Sequence, residues 1–297
     1  MTNCGTTANE NCCTSLPVTG GTFYRVYTNS GTGPTGEASP ATLTGLSIDK
    51  YLVTVGRFRQ FVSAWNGGWR PTAGSGKHVH LNGGQGLANS GSAGTYETGW
   101  QSSDDSNVAP TDTNLACFGG MGTWTPNGSG NENVPINCVN WYEAYAFCIW
   151  DGGFLPSSAE SEYVAAGGSQ QREYPWGSTD PGTSTEYAIY NCVYPNGSGT
   201  CNGLTNLAPV GTPTLGAGVW GQLDLAGEVM EWNLDWSAPP VDPCTDCAYL
   251  TMPSPAYRIV RGGYFYDDNT LLWPYNPLAS TPTARQYGFG LRCARVP

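Results

Sequence analysis

The stretch Leu223-Asp224-Leu225-Ala226-Gly227-Glu228-Val229-Met230-Glu231-Trp232 places several carboxylates around one glycine. Asp224 and Glu231 are hard oxygen ligands, and carbonyls of a kinked loop between them would complete a shell suited to calcium. Taken alone, the decapeptide reads first as a strand end with solvated acids. The segments around it change that reading.

The chain has 297 residues, enough for a substantial core. Charged residues make up 12% and aromatics 12%, with 41 Gly and 22 Pro, which describes a loop-rich globular protein rather than a disordered one. The formal net charge of −11 repels phosphate backbones and argues against nucleic acid as a partner. No apolar run approaches the roughly 20 residues that cross a bilayer. Met1-Thr2-Asn3-Cys4 lacks the basic and apolar regions of a signal peptide, yet 11 cysteines point to an oxidising compartment. A mature form whose leader was removed reconciles the two, and a secreted or extracellular location is expected. A cytosolic metal-rich protein is the competing reading. Only two histidines occur, and no second Cys-x-x-Cys accompanies Cys244 and Cys247.

Along the chain, the alternation from Leu16 to Tyr27 predicts a strand entered through a Gly-Gly turn, and Leu46 to Val53 a second strand. Thr54 is placed to cap a helix whose Phe58, Phe61, Val62 and Trp65 form a buried stripe. From Asn66 to about Asn133 the composition predicts long surface loops. A second helix starts at an Asn140 cap and stops at Gly152-Gly153, and a third is capped at Ser157 or Ser158 and ends at Gly167-Gly168. No repeat or charged linker divides the chain. The expectation is a short extension over residues 1–15 and one α+β domain over residues 16–297.

Several segments then fall in one order: Gly20-Gly21-Thr22-Phe23, Ile48-Asp49-Lys50-Tyr51-Leu52-Val53-Thr54, Asn140 to Cys148, and Leu155-Pro156 with Ala159-Glu160. Tyr174-Pro175-Trp176-Gly177, Ala208-Pro209-Val210-Gly211, Asp224 to Trp236, Arg261-Gly262-Gly263 and Gly290-Leu291-Arg292-Cys293 follow. In that order they resemble the sulfatase-modifying-factor or formylglycine-generating-enzyme domain, a variant of the C-type lectin-like fold. The family includes oxidases, iron enzymes and pure binding proteins, so the fold alone does not name the function. The resemblance implies a calcium site at Asp224, Gly227 (carbonyl), Val229 (carbonyl) and Glu231. Glu228 replaces a usual Asn beside it. A second implied site falls on Asn191, Cys192 (carbonyl), Asn202 and Leu204 (carbonyl), where an Asn in place of Asp removes charge. The resemblance also pairs Cys148 with Cys293. Spacing alone suggests Cys117 with Cys138, Cys192 with Cys201, and Cys244 with Cys247. Cys4, Cys12 and Cys13 remain, so one thiol is free, joins another chain or pairs differently.

A formylglycine generator would carry two copper-binding thiolates where this chain has Asp267 and Leu272. The iron enzymes of the family use a separate histidine-bearing helical domain, which this chain lacks. His78 and His80 would need a third ligand, such as Asp104 or Asp105, to hold a transition metal; exposed loop histidines beside Lys77 are the expected reading. No Gly-x-Ser-x-Gly elbow occurs. In a strand, Asp267 and Asp268 would point to opposite faces. Other departures from the family pattern are Phe154 for Arg, and Ser161 and Met230 for Trp; the two smaller residues either reshape a pocket or repack the core.

Tyr264, Tyr266, Trp273, Tyr275 and Tyr287, with Asp267 and Arg285 among them, occupy the region that lines the substrate groove in the resembling family. In its diversity-generating relatives this region forms the variable face. Aromatic rings beside carboxylates and amides suit a carbohydrate or peptide ligand. The expected protein is secreted, stabilised by calcium, and binds such a ligand without formylglycine chemistry. A divergent metal-dependent oxidoreductase and a self-assembling surface protein are the alternatives, and an oligomer is allowed by the odd cysteine.

Overall fold

Thr19-Gly20 splits the N-terminal alternation into β1 (Ser15–Val18) and β2 (Gly21–Asn29). A Cβ on Gly20 would lie 2.3 Å from the Leu43 carbonyl, so only glycine lets the chain pass there. The computed structural model describes residues 3–297 apart from Thr6 and Ser129. β2 turns back into β3 (Pro34–Leu43), and threonine hydroxyls bond across this hairpin between Thr22 and Thr42 and between Thr28 and Thr35. Phe23 and Tyr27 point inward from it. β4 (Leu46–Asp49) ends four residues before the predicted Val53. α1 (Val55–Asn66) begins where the Thr54 hydroxyl accepts from the Arg57 amide, and its expected apolar stripe is buried.

The segment after α1 contains β5 (Ala88–Asn89) and α2 (Asp112–Leu115). It is not merely a set of surface loops, because Leu81, Leu87, Trp100 and Leu115 all enter the main core. These side chains are isolated apolar anchors without a period, which composition alone does not reveal. α3 (Trp141–Trp150) and α4 (Ser158–Ala166) each carry a capping box, Asn140 with Glu143 and Ser157 with Glu160. Gly167 ends α4 in the left-handed conformation, φ 68°.

The remaining strands are β6 (Met230–Trp236), β7 (Cys244–Thr245), β8 (Cys247–Ala248), β9 (Arg258–Arg261), β10 (Leu278–Ser280), β11 (Phe289–Gly290) and β12 (Ala294–Arg295). They pair as β1-β4-β12, β10-β9-β6-β11, β2-β3-β7 and β5-β8. Short twisted sheets with few helices make up the α+β, C-type lectin-like architecture. The central core joins α1, α3 and β6, with Phe61, Phe147 and Trp232 fully buried.

Disulfides link Cys4 to Cys12, Cys117 to Cys138, Cys148 to Cys293, Cys192 to Cys201 and Cys244 to Cys247. Cys13 is exposed and unpaired among the described residues. Cys4 and Cys12 pack with Tyr51 and Phe265, which fastens the N-terminal segment to the domain. Met1, Thr2 and Thr6 of the expected extension lie outside the described residues. Among the described residues no helix is long and apolar enough to cross a membrane.

Candidate functional site

The loop entering β6 is kinked. Asp224 (φ 57°), Gly227 (φ 84°) and Glu228 (φ 60°) all adopt left-handed backbone. A Cβ on Gly227 would lie 2.4 Å from the Ile189 carbonyl, which itself accepts from the Glu228 amide. The acids are not solvated: Asp224, Glu228 and Glu231 are all buried. The Gly211 amide donates to both Asp224 carboxylate oxygens, at 3.1 and 2.8 Å. Arg292, fully buried, donates to Glu231 Oε1 at 2.9 Å and to the carbonyls of Asp49, Lys50, Leu223 and Asp224.

One guanidinium therefore serves this acidic loop, pairing with the Glu231 carboxylate and with the Asp224 carbonyl. Burial pushes the Asp224 carboxyl up to about 7 against the pull of Arg292, and drives Glu228 well above the usual carboxylate range. Burial also raises Glu231. Glu228 Oε2 accepts from the Ala208 amide, while its Oε1 is buried without a partner. The formal charges of this group sum to −2, which a divalent cation would cancel. Among the described residues no three acidic, histidine or cysteine side chains converge on one point. The oxygens offered to a cation would be those of two side chains, Asp224 and Glu231, and the Gly227 and Val229 carbonyls.

The second set is different. The Asn206 amide nitrogen donates to the carbonyls of Cys192, Tyr194 and Thr200, and its oxygen accepts from the Asn202 amide. Asn191 and Cys192 have positive φ, and their amides donate to the Asp267 and Phe265 carbonyls. Leu204 is half-buried in a 3-10 turn of residues Gly203–Asn206. This loop is knit by a neutral amide and holds no carboxylate, so it makes a poorer cation site than the first.

The predicted ligand residues divide into two groups. Tyr264, Tyr266 and Tyr287 form one half-buried cluster, with ring centroids 5.8–6.2 Å apart over the buried Phe265. Asp267 joins it by accepting from the Tyr264 amide at 3.0 Å, and burial lifts its carboxyl to about 6. Asp267 and Asp268 lie in a turn rather than a strand; Asp268 caps the 3-10 turn Asn269–Leu272. The Asp267 and Leu272 positions carry no sulfur, and Leu272 is buried. Trp273 stacks on Tyr275 at 5.6 Å, in a separate group with Tyr27. Arg285 stands apart from both. It grips the buried Glu143 through both terminal nitrogens at 2.5 Å and donates to the Cys138 carbonyl, bracing the start of α3.

Some site-like features carry no local sequence signal. His78 is fully buried, not exposed, with Nδ1 2.9 Å from Glu97 and Nε2 3.1 Å from Glu160. Burial opposes its charge, but attraction by Glu160 and Glu97 lifts it to about 10. Phe154, where the resemblance expects Arg, packs on His78 at 3.8 Å and stacks on the half-buried His80 at 5.7 Å. Burial and the neighbouring His78 lower His80. Ser161 lines a cavity of about 20 Å³, room for one water, and Met230 lies in the main core. Met230 in place of an expected tryptophan thus repacks the core, whereas Ser161 opens onto a small cavity.

Comparison with known proteins identifies the domain. The sulfatase-modifying factor enzyme 1-like domain matches residues 2–297. A formylglycine-generating enzyme of Streptomyces coelicolor is 32% identical over 179 residues, covering 56% of this chain and 54% of the relative. The inactive C-alpha-formylglycine-generating enzyme 2 of Mus musculus is 27% identical over 168 residues, 54% of this chain and 49% of the relative. The chain thus spans about half the length of the curated relatives it matches. Among solved structures, PvdO from Pseudomonas aeruginosa superposes with a TM-score of 0.57 at 17% identity, covering 97% of this chain and 100% of that one, which supports the fold alone. Matched from residue 2 to its end, the chain belongs to the sulfatase-modifying factor enzyme 1-like domain family.

Proposed function

We propose that this protein is a secreted, calcium-stabilised member of its family that binds a carbohydrate or peptide through the Tyr264–Tyr266–Tyr287 face, without generating formylglycine. The observation that carries the reading is the replacement of the thiol pair: Asp267 and Leu272 stand where two thiolates would be needed, and Asp267 lies under a half-exposed tyrosine cluster. Rings supply flat apolar faces, and the adjacent carboxylate accepts from hydroxyls or amides. Five disulfides suit an oxidising compartment. Calcium at Asp224, Gly227, Val229 and Glu231 would neutralise the buried acids behind this face.

Binding to glycan and peptide arrays tests the reading, with Tyr266→Ala and Asp267→Asn as controls. Loss of the captured ligand in both variants at unchanged melting temperature supports it. Conversion of a sulfatase-motif cysteine peptide by the purified protein would overturn it. A second reading, assembly into a surface layer, rests on the exposed Cys13 thiol; a monomer by light scattering with and without reductant removes it.

A further inference from the structure

Arg258 opens β9 and is 9% exposed, yet no carboxylate pairs with it among the described residues. Trp141 covers one aromatic contact of its guanidinium at 3.7 Å and Trp236 another at 3.5 Å. Stacking leaves only in-plane directions for hydrogen bonds. There, Nη1 donates to the Leu234 carbonyl and Nε is buried without an acceptor. Burial pushes the group down to about 9, a sign of missing counter-charge. A buried cation without an anion is costly unless something completes it.

Arg258 lines a cleft of about 420 Å³, whose walls include Tyr142, Tyr145, Leu250 and Met252 together with the two tryptophans. Its other charged lining groups are acidic. Glu97 is occupied by His78, and Asp104 is half-buried at the edge with its carboxyl raised by burial. The cleft shares no residue with the tyrosine face above. We propose that it is a second binding site, taking a small organic monocarboxylate with an aromatic or apolar body, the carboxylate meeting Arg258 and the body lying against the rings. The two acids disfavour a dianion such as sulfate, and the aromatic walls reward an apolar body.

Calorimetric titration with phenylacetate, phenylacetamide and inorganic sulfate tests this on the intact protein. Phenylacetate is expected to bind saturably and raise the melting temperature, with the amide weaker by roughly tenfold or more, the loss of one charge-assisted contact. Arg258→Gln should abolish the preference for the acid over the amide. Because that variant also disturbs the tryptophan stack, Asp104→Asn provides an independent check: it leaves the stack intact and should tighten phenylacetate severalfold while leaving the amide unchanged. Equal affinity for acid and amide, tighter binding of sulfate, or no saturable phenylacetate binding overturns the proposal.

Discussion

Replacing Asp224 with Asn should raise stability in chelator and raise it much less in calcium. In chelator, the wild-type carboxyl must ionise in a buried site already holding Glu228 and Glu231, and its pKa rises from 3.8 to about 7. The folded state then binds more protons than the unfolded chain between those values, so stability falls as pH rises from about 4 through 7. That rise in pKa corresponds to on the order of 4 kcal/mol lost above pH 7. Asn keeps an oxygen for the Gly211 amide and carries no charge, so Asp224→Asn should recover much of this. With about 2.1 cal/mol/K per residue over 297 residues, unfolding entropy is about 0.6 kcal/mol/K, making the gain roughly 6 °C. In calcium at 100 times its Kd, the wild type should gain about 2.7 kcal/mol, or roughly 4 °C, and the variant far less. Differential scanning calorimetry at pH 8 with calcium or chelator measures both. An equal loss of melting temperature in the two conditions would refute the reasoning, since it would mean Asp224 contributes through packing alone.

Three further outcomes follow from other contacts. His78, raised to about 10, contributes stability that is full below its ordinary value near 6.5 and is lost as pH rises toward 10; His78→Gln should flatten this alkaline loss in urea titrations. Arg285→Ala should destabilise by roughly 3–5 kcal/mol by leaving Glu143 buried without its partner, while array binding by the folded fraction is unchanged. Replacing Cys148 and Cys293 with Ala opens a 145-residue separation and should cost about 5 kcal/mol in the loop-entropy account, read from denaturant midpoints.

What the residues disclosed in advance is what short-range physics controls. Thr54, Asn140 and Ser157 each satisfy amides within three residues, so the helix starts were legible. The β3 strand was not, because Pro34, Gly36 and Pro40 disguise it, and pairing with β2 and β7 holds it extended. Four of the disulfides are readable from spacing and resemblance, but the choice of Cys4 over Cys13 as the partner of Cys12 is not. The role of His78 depends on Glu97 and Glu160, 19 and 82 residues away, which no local pattern announces. Arg285 drew attention through its aromatic neighbours in sequence, yet its partner Glu143 lies 142 residues earlier. The kinked acidic loop is visible, but not that all its acids are buried or that a guanidinium 61 residues on from Glu231 pairs with it.

That guanidinium has an evolutionary consequence. Four of the five acceptors of Arg292 are main-chain oxygens, at Asp49, Lys50, Leu223 and Asp224. Peptide oxygens survive any substitution, so the side chain at position 50 is free to drift without loosening the knot. Position 292 has no such latitude, since a lysine offers three donors on a point charge instead of five in a plane. Homologues should therefore diverge around this arginine while retaining it.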